Sequence, residues 1–467
     1  MTRVLVACAI ALSIVLTGCG SELRTGASSD PATIAPRGTL AFASFEIAPD
    51  GREKASFDAA FGKLLGDAPE AKLGAAFTRA AQTSGKLDYL TDVRPWLGKT
   101  LSLAVTRAAP DGCDFALLAA STDDDAARAA IDKDLAGTSA VSRSYRDVSY
   151  KLLGDGTANG VVSHFLVAGT EAAFKAVVDA SKDGQSLSDT EQWKAAVGDR
   201  GKGKVGLAYL DAKGLLQSFA SGLPGAQRVA VPLLLGLVDL HPFVATLEAR
   251  PDALVVDVSS PGTKPDPDGP AAASSPLIET FPADAWLAAA APKVGETLTK
   301  ALAALKANPL IAAQYGALAD SFRARTGLDI DKDLLTLGDA GLFARGTTPS
   351  SAGGTLVAHA KSATLQRLRA LLASRTKGRL GVRAAVRPAA RLGAAPLFEK
   401  ATAAVGGRPT VFVDFARALE LARASAHDRS RGHLQHALPR LRHIEFIAAG
   451  ARRAAGLDVV RGVVGLR

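Results

Sequence analysis

An α+β fold made of two homologous repeats, each a mostly antiparallel sheet packed with amphipathic helices, follows from three observations. Short apolar strands come in adjacent pairs between helices, as at 143–153 and 161–167, which marks antiparallel pairing and not a doubly wound parallel sheet. Five segments recur in the same order in both halves of the chain. The halves meet at Ser259-Ser260-Pro261-Gly262-Thr263-Lys264-Pro265-Asp266-Pro267-Asp268-Gly269-Pro270, a stretch that can build neither a helix nor an inner strand. These observations divide the chain into a leader at 1–18, a flexible tether at 19–36, a first repeat at 37–259, a Pro-rich linker at 260–276 and a second, Arg-rich repeat at 277–467.

The leader places Arg3 before an apolar run from Val4 to Leu16 and closes with Thr17-Gly18-Cys19. That is the layout of a secretory signal and is too short to cross a bilayer. With a Cys at the cleavage point it resembles a bacterial lipoprotein signal, in which the Cys thiol is diacylated and becomes the new N-terminus. Cys19 is therefore the expected lipidation site. The Ser, Thr, Gly, Pro and Ala residues of 20–36 supply the tether. Each buried CH₂ contributes about 0.8 kcal/mol, so two acyl chains hold far more firmly than one. The expected location is the extracytoplasmic face of a cell membrane, lipid-anchored without spanning it.

In the first repeat, Pro36-Arg37-Gly38-Thr39-Leu40 leads into a strand, as Pro282-Ala283-Asp284-Ala285-Trp286 does in the second. Leu87-Asp88, then Trp96-Leu97-Gly98 and a strand at 101–105, match Leu328-Asp329, then Leu337-Gly338 and a strand at 342–344. The strand at 115–120 and helix at 124–135 match 356–360 and 363–372, and the strand at 204–210 matches 409–415. Last, the pair 244–250 and 254–258 matches 444–451 and 457–460. The run Gly154-Asp155-Gly156-Thr157-Ala158-Asn159-Gly160 joins the strands 143–153 and 161–167 as a hairpin. Two helices at about 171–181 and 189–197 are expected to be extra to the first repeat. Helix starts are well marked: Ser121-Thr122-Asp123-Asp124-Asp125 sets caps and negative charge at the positive end of a helix dipole.

Composition narrows the function classes. With 48% hydrophobic and 22% charged residues the chain is globular, not disordered. Its 467 residues exceed one compact core. Beyond Cys8 and Cys19 only Cys113 remains, so no internal disulfide forms in the mature chain, and Cys113 reads as a small buried hydrophobe. The net charge of +9 is uneven: from Lys361 onward 21 basic residues face 6 acidic ones, leaving the preceding part net acidic. This basic half is either a plain solvated surface or a face toward anionic lipids or wall polymers. Nucleic acid is not an expected partner of a secreted, tethered chain.

The chemistry-bearing patterns dissolve on inspection. Gly201-Lys202-Gly203-Lys204-Val205-Gly206 spells a dinucleotide fingerprint but follows a helix and precedes a strand, the reverse of what phosphate at a helix N-terminus requires. Asp329, Asp331 and Asp333 open like a calcium loop, but its Gly and terminal Glu positions hold Leu334 and Ala340. His427, His433, His436 and His443 are interleaved with Arg429, Arg431, Arg440 and Arg442, a field that opposes a divalent cation. Asp211 and Asp414 sit where strand gives way to helix and read as caps. Trp96 reads as a core anchor with Gly98 easing the turn after it. The apolar run from Val229 to Leu240 is a buried helix or the wall of an apolar groove. Neither Gly-x-Ser-x-Gly nor His-Glu-x-x-His is present. No catalytic, cofactor or metal residues are assigned.

Together, Pro36–Phe45, Leu87-Asp88 with Pro95-Trp96-Leu97-Gly98, and their echoes in the second half resemble a bacterial envelope family known only as a domain of unknown function, DUF3352. The resemblance implies an extracytoplasmic α+β protein and carries over no functional residue. The expected role is a non-catalytic binding or scaffold protein of the cell envelope. The alternative is a carrier of a lipid or other apolar ligand, which would need an apolar cavity of several hundred Å³.

Overall fold

A computed structural model describes residues 30–467 apart from 84, 224, 226–239, 262–273, 308, 377–378, 427 and 455–456. The chain separates into two units, Met1–Lys264 and Pro265–Arg467. The first unit contains strands β1 (Ala41–Glu46), β2 (Leu97–Ala109), β3 (Gly112–Ser121), β4 (Val141–Tyr145), β5 (Val148–Leu152), β6 (Thr157–Val162), β7 (Phe165–Thr170), β8 (Gly206–Leu210), β9 (Phe243–Arg250) and β10 (Ala253–Ser259). Its helices are α1 (Gly51–Leu65), α2 (Pro69–Ala81), α3 (Asp124–Leu135), α4 (Glu171–Asp183), α5 (Glu191–Ala196) and α6 (Ala212–Ser221). The strands pair in the order β10-β9-β8-β1-β2-β3-β7-β6-β5-β4, every neighbour antiparallel.

In the second unit the strands are β11 (Leu287–Ala291), β12 (Ala340–Arg345), β13 (Gly353–Ala358), β14 (Leu380–Arg383), β15 (Val411–Asp414), β16 (Ile444–Ala454) and β17 (Leu457–Leu466). The helices are α7 (Val294–Lys306), α8 (Pro309–Thr326), α9 (Ser362–Thr376), α10 (Pro396–Val405), α11 (Phe415–Ser425) and α12 (Asp428–Leu441). The order is β17-β16-β15-β11-β12-β13-β14, antiparallel except for the parallel pair β13–β14. An α+β fold with mostly antiparallel sheet is thus present. No described helix is long and apolar enough to cross a membrane.

Period-two patterning explains the strands. β1 and β7 alternate half-buried with buried residues along their whole length, as a strand with one face on the core must. Asp caps start the helices: Asp123 accepts from Asp125 N and Ala126 N, Asp211 from Gly214 N, and Asp414 from Arg417 N. Each such cap contributes about 1 kcal/mol. Over the sheet of the first unit, Phe174, Val177 and Val178 of α4 meet Ala116 and Leu118 of β3 with no exposure. The second unit closes with Phe398 against Phe412 (5.3 Å) and Phe281 against Phe343 (5.1 Å). Emptying one such Phe site costs about 3–5 kcal/mol.

Several sequence expectations are corrected. Residues 30–36 are not tether. Asp30 caps a 3₁₀ turn at Pro31–Thr33, Ala32, Ile34 and Ala35 are buried, and Pro36 is bridged to Ser186. The fold therefore includes Asp30. Likewise the linker ends before Ser275, which is 1% exposed and donates to Asp339. The segment 143–153 is itself a hairpin, β4–β5, turning at Arg146-Asp147 (φ 48° and 66°), and β6–β7 turns at Ser163-His164 (φ 46° and 64°). Such left-handed pairs normally announce themselves as Asn-Gly; here no Gly marked them. Of the two helices read as extra, α5 has a counterpart. It follows a 3₁₀ turn whose Leu187 N–H donates to Ala35 O (2.8 Å), and α10 follows one whose Leu392 N–H donates to Phe281 O (2.7 Å). What the second unit lacks, among its described residues, is α4 with the β4–β7 hairpins.

Candidate functional site

Cys19 and the rest of the leader lie outside the described residues, as does nearly all of 229–240. His427 also lies outside them. His433 and His436 fall on α12, and His443 sits in the turn before β16. Among the described residues no group of three His, Cys, Asp or Glu is placed to hold a metal. Cys113 is half-buried on β3, more accessible than expected. The Gly201–Gly206 run lies between α5 and β8, with Gly203 at φ 68° in the turn. In a Ser-x-x-Lys spacing at 374–377, Ser374 is exposed on the last turn of α9 and donates to Leu371 O, while Lys377 lies outside the described residues.

The carboxylates of the acidic run in the second unit go to different partners and do not converge. Asp329 caps a short π-helical turn, Ile330–Leu334, through Lys332 N and pairs with Arg323 (2.8 Å). Asp331 accepts from the Tyr315 hydroxyl (3.1 Å). Asp333 has no exposure and accepts from Asp329 N (2.9 Å), Thr364 Oγ1 (2.6 Å) and Arg367 Nη2 (2.8 Å). Burial pushes the Asp333 carboxyl up, but these three donors outweigh it and hold the group below the usual carboxylate range. The first unit repeats the device: Asp92 accepts from Asp88 N (2.8 Å) and Lys133 Nζ (2.6 Å), and Trp96, 2% exposed, donates to Asp92 O (2.7 Å). These carboxylates hold helices in place.

A cavity of about 50 Å³ lies in the first unit among Phe77, Trp96, Ile131, Leu166, Asp134 and Asn159. Ligand pockets run to roughly 300–1,000 Å³, so this one admits a few atoms and no lipid. Asp134 accepts from Thr83 N (2.8 Å), and the buried Nδ2 of Asn159 has no partner.

The arginines of the second unit divide into two sets. Arg367, Arg408, Arg417 and Arg453 are ion-paired within the fold. In contrast, Arg375, Arg379, Arg383, Arg387 and Arg391 are all exposed, and no side chain among them has a hydrogen-bond or ion-pair partner among the described residues. They trace the end of α9, edge strand β14 and the segment after it. Between Lys361 and Arg408 they belong to eleven basic residues facing one acidic residue, Glu399. This is the strongest site-like feature of the described surface. It had a sequence signal, the charge asymmetry, but which arginines are free could not be read from sequence.

Comparison with known proteins adds a family and little more. The family described as "Protein of unknown function (DUF3352)" matches residues 2–381, which includes the first unit and ends within β14. No curated protein matches the chain. The solved structure titled "Structure of crystal form I of TP0453" aligns at 12% identity and a TM-score of 0.28, over 51% of this chain and 82% of that one. A likeness that weak carries no inference.

Proposed function

Because the chain belongs to the DUF3352 family, for which no activity is given, we propose from its own residues that it is a lipoprotein of the cell envelope. It is held at Cys19 on the extracytoplasmic face of the membrane and acts as a non-catalytic binding or scaffold protein. The observation that carries the binding role is the contrast between the two sets of arginines. The buried carboxylates are occupied in capping and ion pairing, while the edge of the second unit keeps five unneutralised guanidinium groups in solvent. Such a field attracts anionic envelope material, lipid headgroups or wall polymers.

The same proposal takes the two units as products of one duplication. Supporting it, β10-β9-β8-β1-β2-β3 and β17-β16-β15-β11-β12-β13 follow the same order with the same antiparallel sense. Equivalent contacts recur: Asp211 N–H donates to Leu40 O (2.8 Å) as Asp414 N–H does to Trp286 O (2.9 Å).

The test is fractionation of cells expressing the chain with and without Cys19→Ser, with metabolic labelling by a palmitate analogue. The expected result is label and membrane association in the original chain and loss of both in the variant. Equal membrane association of the two, or no label in either, overturns the anchor.

A further inference from the structure

The arginine edge borders an open sheet face. Residues paired directly across strands share a face, and alternate residues along a strand return to it. On that rule Phe343 and Arg345 of β12 share a face with Thr355 and Gly353 of β13 and with Gly381 and Arg383 of β14. Arg379, two residues before Gly381, stands on it too. The opposite face carries Leu356 and Val382, which are covered by Leu365 and Leu368 of α9.

In the first unit the equivalent face, carrying Ala116 and Leu118, is closed by α4 with its fully buried Phe174, Val177 and Val178. Among the described residues no helix takes the place of α4 in the second unit. Phe281 covers the inner end at Phe343, but Gly353 and Thr355 are left half-buried and Gly381 exposed. Val357, which pairs with Arg383, is also buried, so the open part is the outer floor of Gly353, Thr355 and Gly381, rimmed by exposed Arg345, Arg379 and Arg383. At about 4.8 Å between strands and 3.3 Å per residue, Arg345 and Arg379 are rooted about 10 Å apart and Arg379 and Arg383 about 13 Å apart. Arg387 follows in the segment after β14, which ends at the bridge between Arg391 and Pro282.

We propose that this face binds a linear polyanion bearing repeated phosphate groups, laid along β12–β14 between the arginines. Roots 10–13 Å apart suit a row of anionic groups and not a single one. A guanidinium grips a phosphate oxygen pair with two parallel N–H donors. A flat lipid surface would meet only the guanidinium heads, whereas a chain can also enter over Gly353, Thr355 and Gly381. This rests on the envelope-binding reading and names its partner class.

The test uses the full chain carrying Cys19→Ser, with long-chain inorganic polyphosphate as probe and fluorescence anisotropy over a salt series. The expected result is binding that weakens steadily with salt as counterions are released. The triple variant Arg345→Gln, Arg379→Gln, Arg383→Gln should bind between about 3-fold and about 100-fold more weakly, since an exposed charge pair contributes about 1.4- to 5-fold each. All three side chains are exposed, so the variant should melt as the parent does. Unchanged affinity in the variant, or no salt dependence, overturns the proposal. A second arm uses phosphatidylcholine vesicles with and without phosphatidylglycerol: arginine-dependent capture of anionic vesicles without polyphosphate binding overturns it in favour of a lipid surface. Failure of the Cys19 anchor in cells would leave the purified chain's binding untouched, so the two readings fail separately.

Discussion

Replacing Asp333 by Ala removes the acceptor of three hydrogen bonds at a site with no solvent exposure. Thr364, 1% exposed, keeps a hydroxyl with no water to meet, at a cost of about 1–3 kcal/mol. The loss of the Asp329 N–H cap adds about 1 kcal/mol. Arg367, whose side chain is 47% exposed, recovers water and adds little. The total is about 3 kcal/mol, and in a unit of about 200 residues each kcal/mol moves Tm by roughly 2–4 °C. Calorimetry of the full chain should therefore show a transition lowered by about 6–12 °C. The internal control is Asp92→Ala, where the carboxylate is 14% exposed and Lys133 52%; about 1 kcal/mol is expected. Adding Thr364→Val to Asp333→Ala removes the stranded hydroxyl and should recover about 1–2 kcal/mol. The reasoning is refuted if Asp333→Ala costs no more than Asp92→Ala, or if the second substitution recovers nothing. Because the folded carboxyl titrates below its usual range, its contribution is complete above about pH 4. It is lost as pH falls through the lower folded value, so Asp333→Asn should flatten the acid limb of the stability curve.

Three further outcomes follow from the first unit. A Cβ on Gly74 of α2 would lie 2.1 Å from the Tyr89 ring, so Gly74→Ala should cost about 1–3 kcal/mol by urea unfolding; a neutral result would mean α2 is not seated on that ring. Burial pushes Glu248 up, but Arg250 and Lys204 outweigh it and bring the carboxyl down to about 2. Glu248 should thus stabilise the fold fully above its ordinary 4.5 and lose that effect as pH falls toward 2. Glu248→Gln should abolish this part of the pH dependence, and an unaltered acid profile would dismiss the pairing. Asn159→Leu replaces an unpartnered buried amide beside an apolar cavity and should stabilise by about 1 kcal/mol. Destabilisation in chemical melts would instead indicate that Nδ2 has a partner.

Much of the strand content was legible because its signals are local. Paired apolar runs, Asp caps at Asp123, Asp211 and Asp414, and the recurring Leu-Asp turns each depend on residues a few positions apart. The β4–β5 and β6–β7 turns were not legible, because Arg146-Asp147 and Ser163-His164 adopt a left-handed geometry that their side chains do not announce. The packing of residues 30–36 was missed for a related reason. A Pro, Ala and Thr composition suits a tether as well as a buried turn, and only the distant Ser186 and Leu187 settle which it is.

By itself the amino-acid sequence determined the α+β class, the break near residue 260 and the concentration of arginine in the second half. These depend on short-range periodicity, on proline chemistry and on counting charges. Only the tertiary structure decided which arginines are neutralised and which stand free, and that β14 joins β13 in parallel at the edge of the sheet, with α9 on one face only. The physical reason is that neutralisation and cover are set by partners far away in the chain. Asp333 meets Arg367 only once α9 has packed, and α4 closes a face in one unit that no helix among the described residues closes in the other.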